Sequence, residues 1–439
     1  MRMSFVFFML LCSFAVVSAA DSNELRADKK FAKKLGNVIE RQIDAAKNRG
    51  DIVVSPQGPK DGGDFGKFTK GTKTSGLQEA YDFAKKTGRD LYIVGGNWTV
   101  GKSAPVTYIL EETLRIPCMQ NFRSDSGIAL IWYVKETGDA IVIDSQMSCF
   151  YRFGLLKSQS KGATVRFKPS TAGPDRFKVV TAVEFHASAI IGGGGAWPSG
   201  EHFNDKINPQ HQWIGAGLFL DGSEGSIDGN KFSIIELVGC NIGLYLNEKC
   251  TNNWVDAPNI HLCKNAVQLG DPGITTVRDN RINASMHCQG IEGAVGARIF
   301  GQDNLLALSA SGMSPGGDIV FEADARDNLV TAVHILSGIT NRATVPTNRV
   351  IAGSPAGYSI ETPAFPAASA EVINSNPYIV AISIVSAGNV SQWTLTDAKG
   401  QSQDFTASLF AGQSIILDPG DKVKFNYSQP PTWRWRALR

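Results

Sequence analysis

The sequence shows no surplus of either sign of charge. Over 439 residues, 43 Lys and Arg face 41 Asp and Glu, for a net charge of +2. That balance gives no electrostatic case for a nucleic-acid partner or for docking on an anionic membrane. Charged residues make up only 19% of the chain and hydrophobic ones 43%, too apolar a mixture for intrinsic disorder. Long apolar runs are missing beyond the first twenty residues, so no later segment reads as a membrane span. The seven cysteines never fall into the close, CxxC-like pairs that zinc favours, and no metal site is expected from them. Helical periodicity is also scarce after residue 90.

Glycine, by contrast, is abundant. The chain has 45, about one residue in ten against roughly 7% on average. They follow no three-residue period, which excludes collagen and points to many tight turns.

The first twenty residues read as a secretory signal peptide. Arg2 is followed by an apolar run from Phe5 to Val17 and by the small residues Ser18, Ala19 and Ala20. A secreted, periplasmic or cell-surface protein is therefore expected. Residues 21–74 read as an N-terminal helix and lead-in, with Phe31, Leu35, Val38, Ile39, Ile43 and Ala46 on one helical face. A second helix over Ser75 to Thr87 ends at Gly88, and a strand begins at Asp90.

The strongest internal signal starts at Asn230. Five segments open on a small or polar residue followed by Asn: Gly229-Asn230, Asn252-Asn253, Asp279-Asn280, Asp303-Asn304 and Asp327-Asn328. Each leads into alternating apolar positions and then a small residue: Cys240, Cys263, Cys288, Gly312 or Gly338. A period near 24 residues made of short strands and turns is the mark of a solenoid, whose coils bury their apolar faces only by stacking. In that register the Asn side chains can bond up and down the stack, and Cys240, Cys263 and Cys288 form an internal ladder of small apolar groups.

The stretch Ser75-Gly-Leu-Gln-Glu-Ala-Tyr-Asp-Phe-Ala-Lys-Lys-Thr-Gly-Arg-Asp-Leu-Tyr-Ile-Val-Gly-Gly-Asn-Trp-Thr-Val100 resembles the opening of the pectate-lyase-like right-handed parallel β-helix superfamily. The resemblance covers roughly residues 50 to 355. It implies an all-β fold: a right-handed parallel β-helix over 75–360 with an N-terminal capping helix. It implies less about activity, because the superfamily holds lyases, hydrolases, epimerases and phage tailspikes. The Trp-Ile-Asp-His and Arg-x-Pro-x-x-Arg patterns of pectate lyases are absent, as is the polygalacturonase set. Residues 371–439 read as a small β-sandwich-like module of strands and turns, with Trp433 and Trp435 buried against it or free to stack sugars.

Several short motifs match by chance. Gly96-Asn-Trp-Thr-Val-Gly-Lys102-Ser103 fits a phosphate-binding loop, but its β-branched and aromatic residues suit extended backbone and no helix start follows. Gly312-Met-Ser314-Pro-Gly316 fits a nucleophile elbow, yet a strand follows where a helix is required, so it reads as a turn.

The solenoid register names the outward side chains of neighbouring coils. Lys231, Trp254 and Arg281 form one row, followed by Leu305 and Leu329. Ser233, Asp256 and Asn283 form the next, followed by Ala307 and Thr331. Two cations, an indole, a carboxylate and an amide suit an acidic polysaccharide. In a lyase, Arg281 or Lys231 would neutralise the uronate carboxylate and Asp256 would act as base or ligate Ca²⁺. Trp254 would stack a ring, and Asn283 would join in binding. The bland reading of the same patch is a solvated face whose charges pair across coils. His202, Asp205 and His211 lie on a Gly-flanked stretch. They read either as a loop over the groove that contacts substrate or as an acid/base or metal set. His261 and His287 read as satisfied at a turn beside the cysteine ladder.

Two functions follow: a lyase or glycoside hydrolase acting on a polysaccharide, or a non-catalytic glycan-binding or structural surface protein like a tailspike stem. The apolar face at Leu305 and Leu329 would let the second assemble as a homotrimer.

Overall fold

The computed structural model describes residues 22–96, 106–170, 178–192, 215–288, 291–335, 337–352 and 360–438. The signal-peptide reading, most of the phosphate-loop match, and His202, Asp205 and His211 lie outside the described residues. No helix among the described residues is long and apolar enough to cross a membrane.

Two large sheets, of 13 and 12 described strands, carry the fold, and every pairing within them is parallel. In each, neighbouring strands come from successive coils, so the chain winds as a right-handed parallel β-helix. The larger sheet runs from Ile52–Val54 and Leu91–Ile93 through Arg123–Ser126, Phe150–Ser158, Glu184–Ile191, Lys231–Val238, Trp254–His261 and Arg281–His287 to Arg349–Ala352. The second includes Ala163–Phe167, Ala216–Asp228, Ile242–Thr251, Asn265–Leu269 and Val295–Ile299.

Alternation places Phe185, Phe232, Val255, Ile282 and Leu306 in one inward column, all buried. The core changes character along the axis. Tyr151, Phe153, Phe167, Phe185 and Phe232 pack ring against ring in the N-terminal coils. Aliphatic side chains and the buried, unbridged thiols Cys240, Cys263 and Cys288 replace them further on. Burial pushes the Cys288 thiol up to about 12, so it packs as a neutral apolar group.

The Asn of each coil is buried and linked to the next. Asn230, Asn253, Asn280, Asn304 and Asn328 each donate from Nδ2 to the following Asn Oδ1 at 2.8–3.1 Å, over separations of 23, 27, 24, 24 and 20 residues. The last acceptor, Asn348, belongs to a shorter coil whose 20-residue step hides it from a 24-residue period. Each Asn also caps a backbone carbonyl of the preceding coil, as Asn280 does at Cys250 O. The residue before each Asn turns the corner with positive φ: Gly229 at 69°, Asn252 at 52°, Asp279 at 57°, Asp303 at 56° and Asp327 at 55°. Gly, Asn and Asp are the residues that tolerate this left-handed region, which is why the sequence repeats them there.

The two helices do different work. α2 (Leu77–Thr87) buries Leu77, Ala80, Tyr81 and Ala84 against the end of the solenoid interior and stops at Gly88, whose N–H reaches Ala84 O. α1 (Ser22–Asn48) instead lies on the outside. Its Ile43 and Ala46 pack on Val53 and Val94, which point outward from the first two coils. Gln42 accepts from the Tyr92 hydroxyl and the Gly95 N–H.

C-terminal to the solenoid, a four-stranded and a three-stranded antiparallel sheet enclose a core of their own, with Ile382, Trp393, Phe425, Trp433 and Trp435. Trp433 and Trp435 are buried there and present no ring to a sugar.

Candidate functional site

The outward register of the larger sheet is what the site is built on. Lys231 pairs with Trp254 and Trp254 with Arg281, while Ser233, Asp256 and Asn283 align in the neighbouring row. Leu305 and Leu329 continue the first row, and Ala307 and Thr331 the second. Trp254 is 50% exposed, an indole held in water by its neighbours in register rather than by burial. Asn283 Nδ2 donates to Asp256 Oδ1 at 2.6 Å, which fixes the carboxylate and leaves its second oxygen without a donor among the described residues. Neither Lys231 nor Arg281 has a carboxylate within salt-bridge distance among the described residues.

The same two rows extend N-terminally, beyond the three coils legible in the sequence. Arg123, Phe150 and Glu184 precede Lys231 in the first row; Tyr92, Asp125, Arg152 and His186 precede Ser233 in the second. Here the charges are paired. Asp125 receives Arg123 at 2.8 Å and Arg152 at 3.6 Å, and both guanidinium groups lie over the Phe150 ring. Alternation in Phe150-Tyr-Arg-Phe and Glu184-Phe-His-Ala was the available signal for these residues, but those coils lack the Asn that marks the later ones.

Several charges in the outer row of the second sheet are paired. Arg166 is bonded to Asp139 and Asp221 and lies over Phe219, which stacks on Tyr245 at 4.3 Å. Arg298 and Arg342 share Glu322, and the Tyr245 hydroxyl donates to Asp271. Each of these guanidinium groups meets a carboxylate, whereas Arg115 at the N-terminal end of the row, like Lys231 and Arg281, meets none among the described residues.

No protein-family model matches the chain, and no curated protein does. Among solved structures, the enzymatically active domain of tailspike protein 2 of bacteriophage CBA120 overlaps it with a TM-score of 0.30 and 8% identity. That overlap covers 84% of this chain and 68% of that one.

His261 and His287 are not at a turn, as the sequence implied. They end the strands Trp254–His261 and Arg281–His287, in register with each other on the outer face. Glu236 holds His261 at 2.6 Å, and Ser311 holds His287 Nδ1 at 2.6 Å. Partial burial, and then the neighbouring His261, lower the proton affinity of His287 below that of a free imidazole. As pH falls, the unfolded chain takes up that proton first, so the folded state loses stability below about pH 6.5. His287→Gln should flatten this acid slope in thermal melts taken between about pH 7 and pH 5; an unchanged slope would contradict the assignment.

One cation on this sheet is buried instead. Lys157 is 4% exposed, its Nζ lies 5.0 Å from the centre of the neighbouring Trp132 ring, and no acceptor meets it among the described residues. Outward Leu130, Leu155, Ala189, Ile191 and Val238 form an apolar cluster there. Burial pushes its pKa down to about 8, whereas the unfolded side chain keeps its proton to about 10.4. Between those values the unfolded state binds more protons, so stability rises with pH. Lys157→Met should therefore stabilise the protein at pH 7 by on the order of 2 kcal/mol and abolish the alkaline gain. Urea unfolding at about pH 7 and about pH 9.5 measures both effects.

Calcium fits the patch poorly. Among the described residues no group of three or more His, Cys, Asp or Glu could share a metal ion, and Asp256 has an amide donor and cations for company.

Proposed function

We propose that this chain binds an acidic polysaccharide along the outer face of its larger sheet and cleaves it by β-elimination beside Asp256. The observation that carries the reading is the pair of cations flanking an exposed indole. Lys231 and Arg281 sit one coil to either side of Trp254 with no carboxylate within salt-bridge distance among the described residues, whereas Arg123 and Arg152 in the coils before them are paired. Successive coils are about 4.8 Å apart, so the two cations bracket about 10 Å of the face. A sugar ring on Trp254 would place its carboxylate within reach of Arg281 or Lys231.

The chemistry then balances on this chain's own groups. Cationic contact with the carboxylate acidifies the C5 proton and stabilises the developing negative charge. The free oxygen of Asp256 takes that proton, the electron pair forms the C4–C5 double bond, and the C4–O bond breaks. The leaving oxygen is protonated by water on this exposed face. A pectate-lyase-like scaffold and export to a surface where such polymers occur belong to the same proposal.

Incubation with polygalacturonate, alginate and hyaluronan, followed by the ultraviolet absorbance of unsaturated uronates, tests the reading. Absorbance that grows with time on at least one polymer is expected. Binding to none of them, with no absorbance change, would refute it.

A second reading is favoured by a separate observation. Beyond Arg281 the face turns apolar, with Leu305 at 41%, Val333 at 60% and Ile351 at 56% exposure. A non-catalytic stem closed by a threefold axis would bury these coils. Solution mass by light scattering separates the two: a monomer that cleaves glycan excludes the stem.

A further inference from the structure

The stripe of outward side chains has a closed end. Its first row begins at Asp51 and Asp90, which precede Arg123 in register, and its second begins at Val53 and Tyr92. Over these first coils lies α1, packed on Val53 and Tyr92 through Ile39, Ile43 and Ala46. The face is therefore roofed at one end and open toward Lys231 and Arg281.

Where the roof ends, the structure has a cavity of about 470 Å³ lined by Arg49, Asp51, Asp90, Tyr92, Arg123 and Asp125. These are the opening members of both rows together with the residue that follows α1. The volume lies within the range of small-molecule sites. Its walls are rich in acceptors held in place. Arg49 fixes Asp51 at 2.6 Å, and Arg123 fixes Asp125 at 2.8 Å. Asp90 Oδ1 accepts the Arg123 N–H at 2.9 Å, and its second oxygen has no donor among the described residues. The Arg49 guanidinium lies 5.4 Å from the Tyr92 ring centre.

We propose that this cavity seats one end of the polysaccharide, so that the protein engages chains from a terminus. The inference rests on the reading that the glycan follows the outer face. A terminal sugar differs from an internal one by the hydroxyl that would otherwise be substituted, and a half-open pocket lined by carboxylate oxygens at the end of the face accepts such a hydroxyl. A longer chain would have to turn off the face, because α1 lies over the first coils. The three carboxylates against two guanidinium groups also disfavour a uronate carboxylate here, so the hydroxyl edge of the terminal ring faces the wall. From Arg123 to Trp254 there are four coil steps, about 19 Å or roughly four pyranose residues, which sets the length of the product released.

Hexasaccharides from alginate, hyaluronan and polygalacturonate provide the test, each uncapped, blocked at its reducing end, or blocked at its non-reducing end. Calorimetry with the full-length protein should show an affinity loss of about tenfold or more from blocking one end and little from blocking the other. Asp90→Asn, which keeps the acceptor for the Arg123 N–H, should weaken the uncapped ligand while leaving the end-blocked one unchanged. A merely structural role would weaken both. Equal affinity for uncapped and blocked hexasaccharides, or equal loss from either block, would overturn the proposal while leaving glycan binding standing. Failure of every uncapped hexasaccharide to bind would remove the glycan reading and this inference with it.

Discussion

Asp256→Asn should lower the release of unsaturated uronate by about a thousandfold while leaving the melting temperature nearly unchanged. The amide keeps an oxygen for the Asn283 donor at 2.6 Å, so the local bond survives and only the capacity to take a proton is lost. Arg281→Ala should cost about a hundredfold or more in the same assay, because the charge that forms on the uronate would lose a direct cationic partner. Trp254→Ala should act differently, raising KM through lost stacking with a smaller change in kcat. Initial rates with purified variants decide the matter. If Asp256→Asn retains more than about a tenth of the wild-type rate, this carboxylate is not the base.

The largest effect on stability is expected at the asparagine ladder. Asn280 donates to Cys250 O and to Asn304 Oδ1 and accepts from the backbone and side-chain N–H groups of Asn253, all out of contact with water. Asn280→Ala strands several of those groups without partners, at about 1–3 kcal/mol each. A loss on the order of 4 kcal/mol is expected, with the coils on either side loosened first, since each coil leans only on its neighbours. Urea unfolding followed by tryptophan fluorescence, with hydrogen exchange to locate the loosened coils, would measure it. A loss below about 1 kcal/mol would mean that water takes over the ladder's bonds.

These two expectations differ in how far the sequence disclosed them. The ladder was legible because one side chain recurs at one corner, after residues that tolerate positive φ, and the regular step from Asn280 to Asn304 to Asn328 exposes the period. From that register the outward rows at Lys231, Trp254, Arg281 and Asp256 followed by alternation alone. Arg123, Phe150, Glu184 and His186 stayed hidden because their coils carry no ladder Asn and the segments between their strands vary in length. Pairing is a matter of side-chain reach, so no pattern could tell that Asp125 neutralises Arg123 and Arg152 while Lys231 and Arg281 meet no carboxylate among the described residues. The closed end was hidden for another reason. The apolar face of α1 reads as a packing surface, but only the fold shows that it packs outside the solenoid, over Val53 and Tyr92, rather than across its end as α2 does. His261 and His287 were misplaced at a turn because the neighbouring cysteines draw the eye to the corner, whereas both still belong to the strands.

A crystal structure of Asp256→Asn with an acidic oligosaccharide of six or more residues tests the central claim most directly. The claim predicts a chain lying across successive coils of the larger sheet, with a ring on Trp254, a carboxylate at Arg281 or Lys231, and its path continuing over Phe150 toward Arg49. Density instead along the second sheet, over Phe219 and Tyr245, would contradict it.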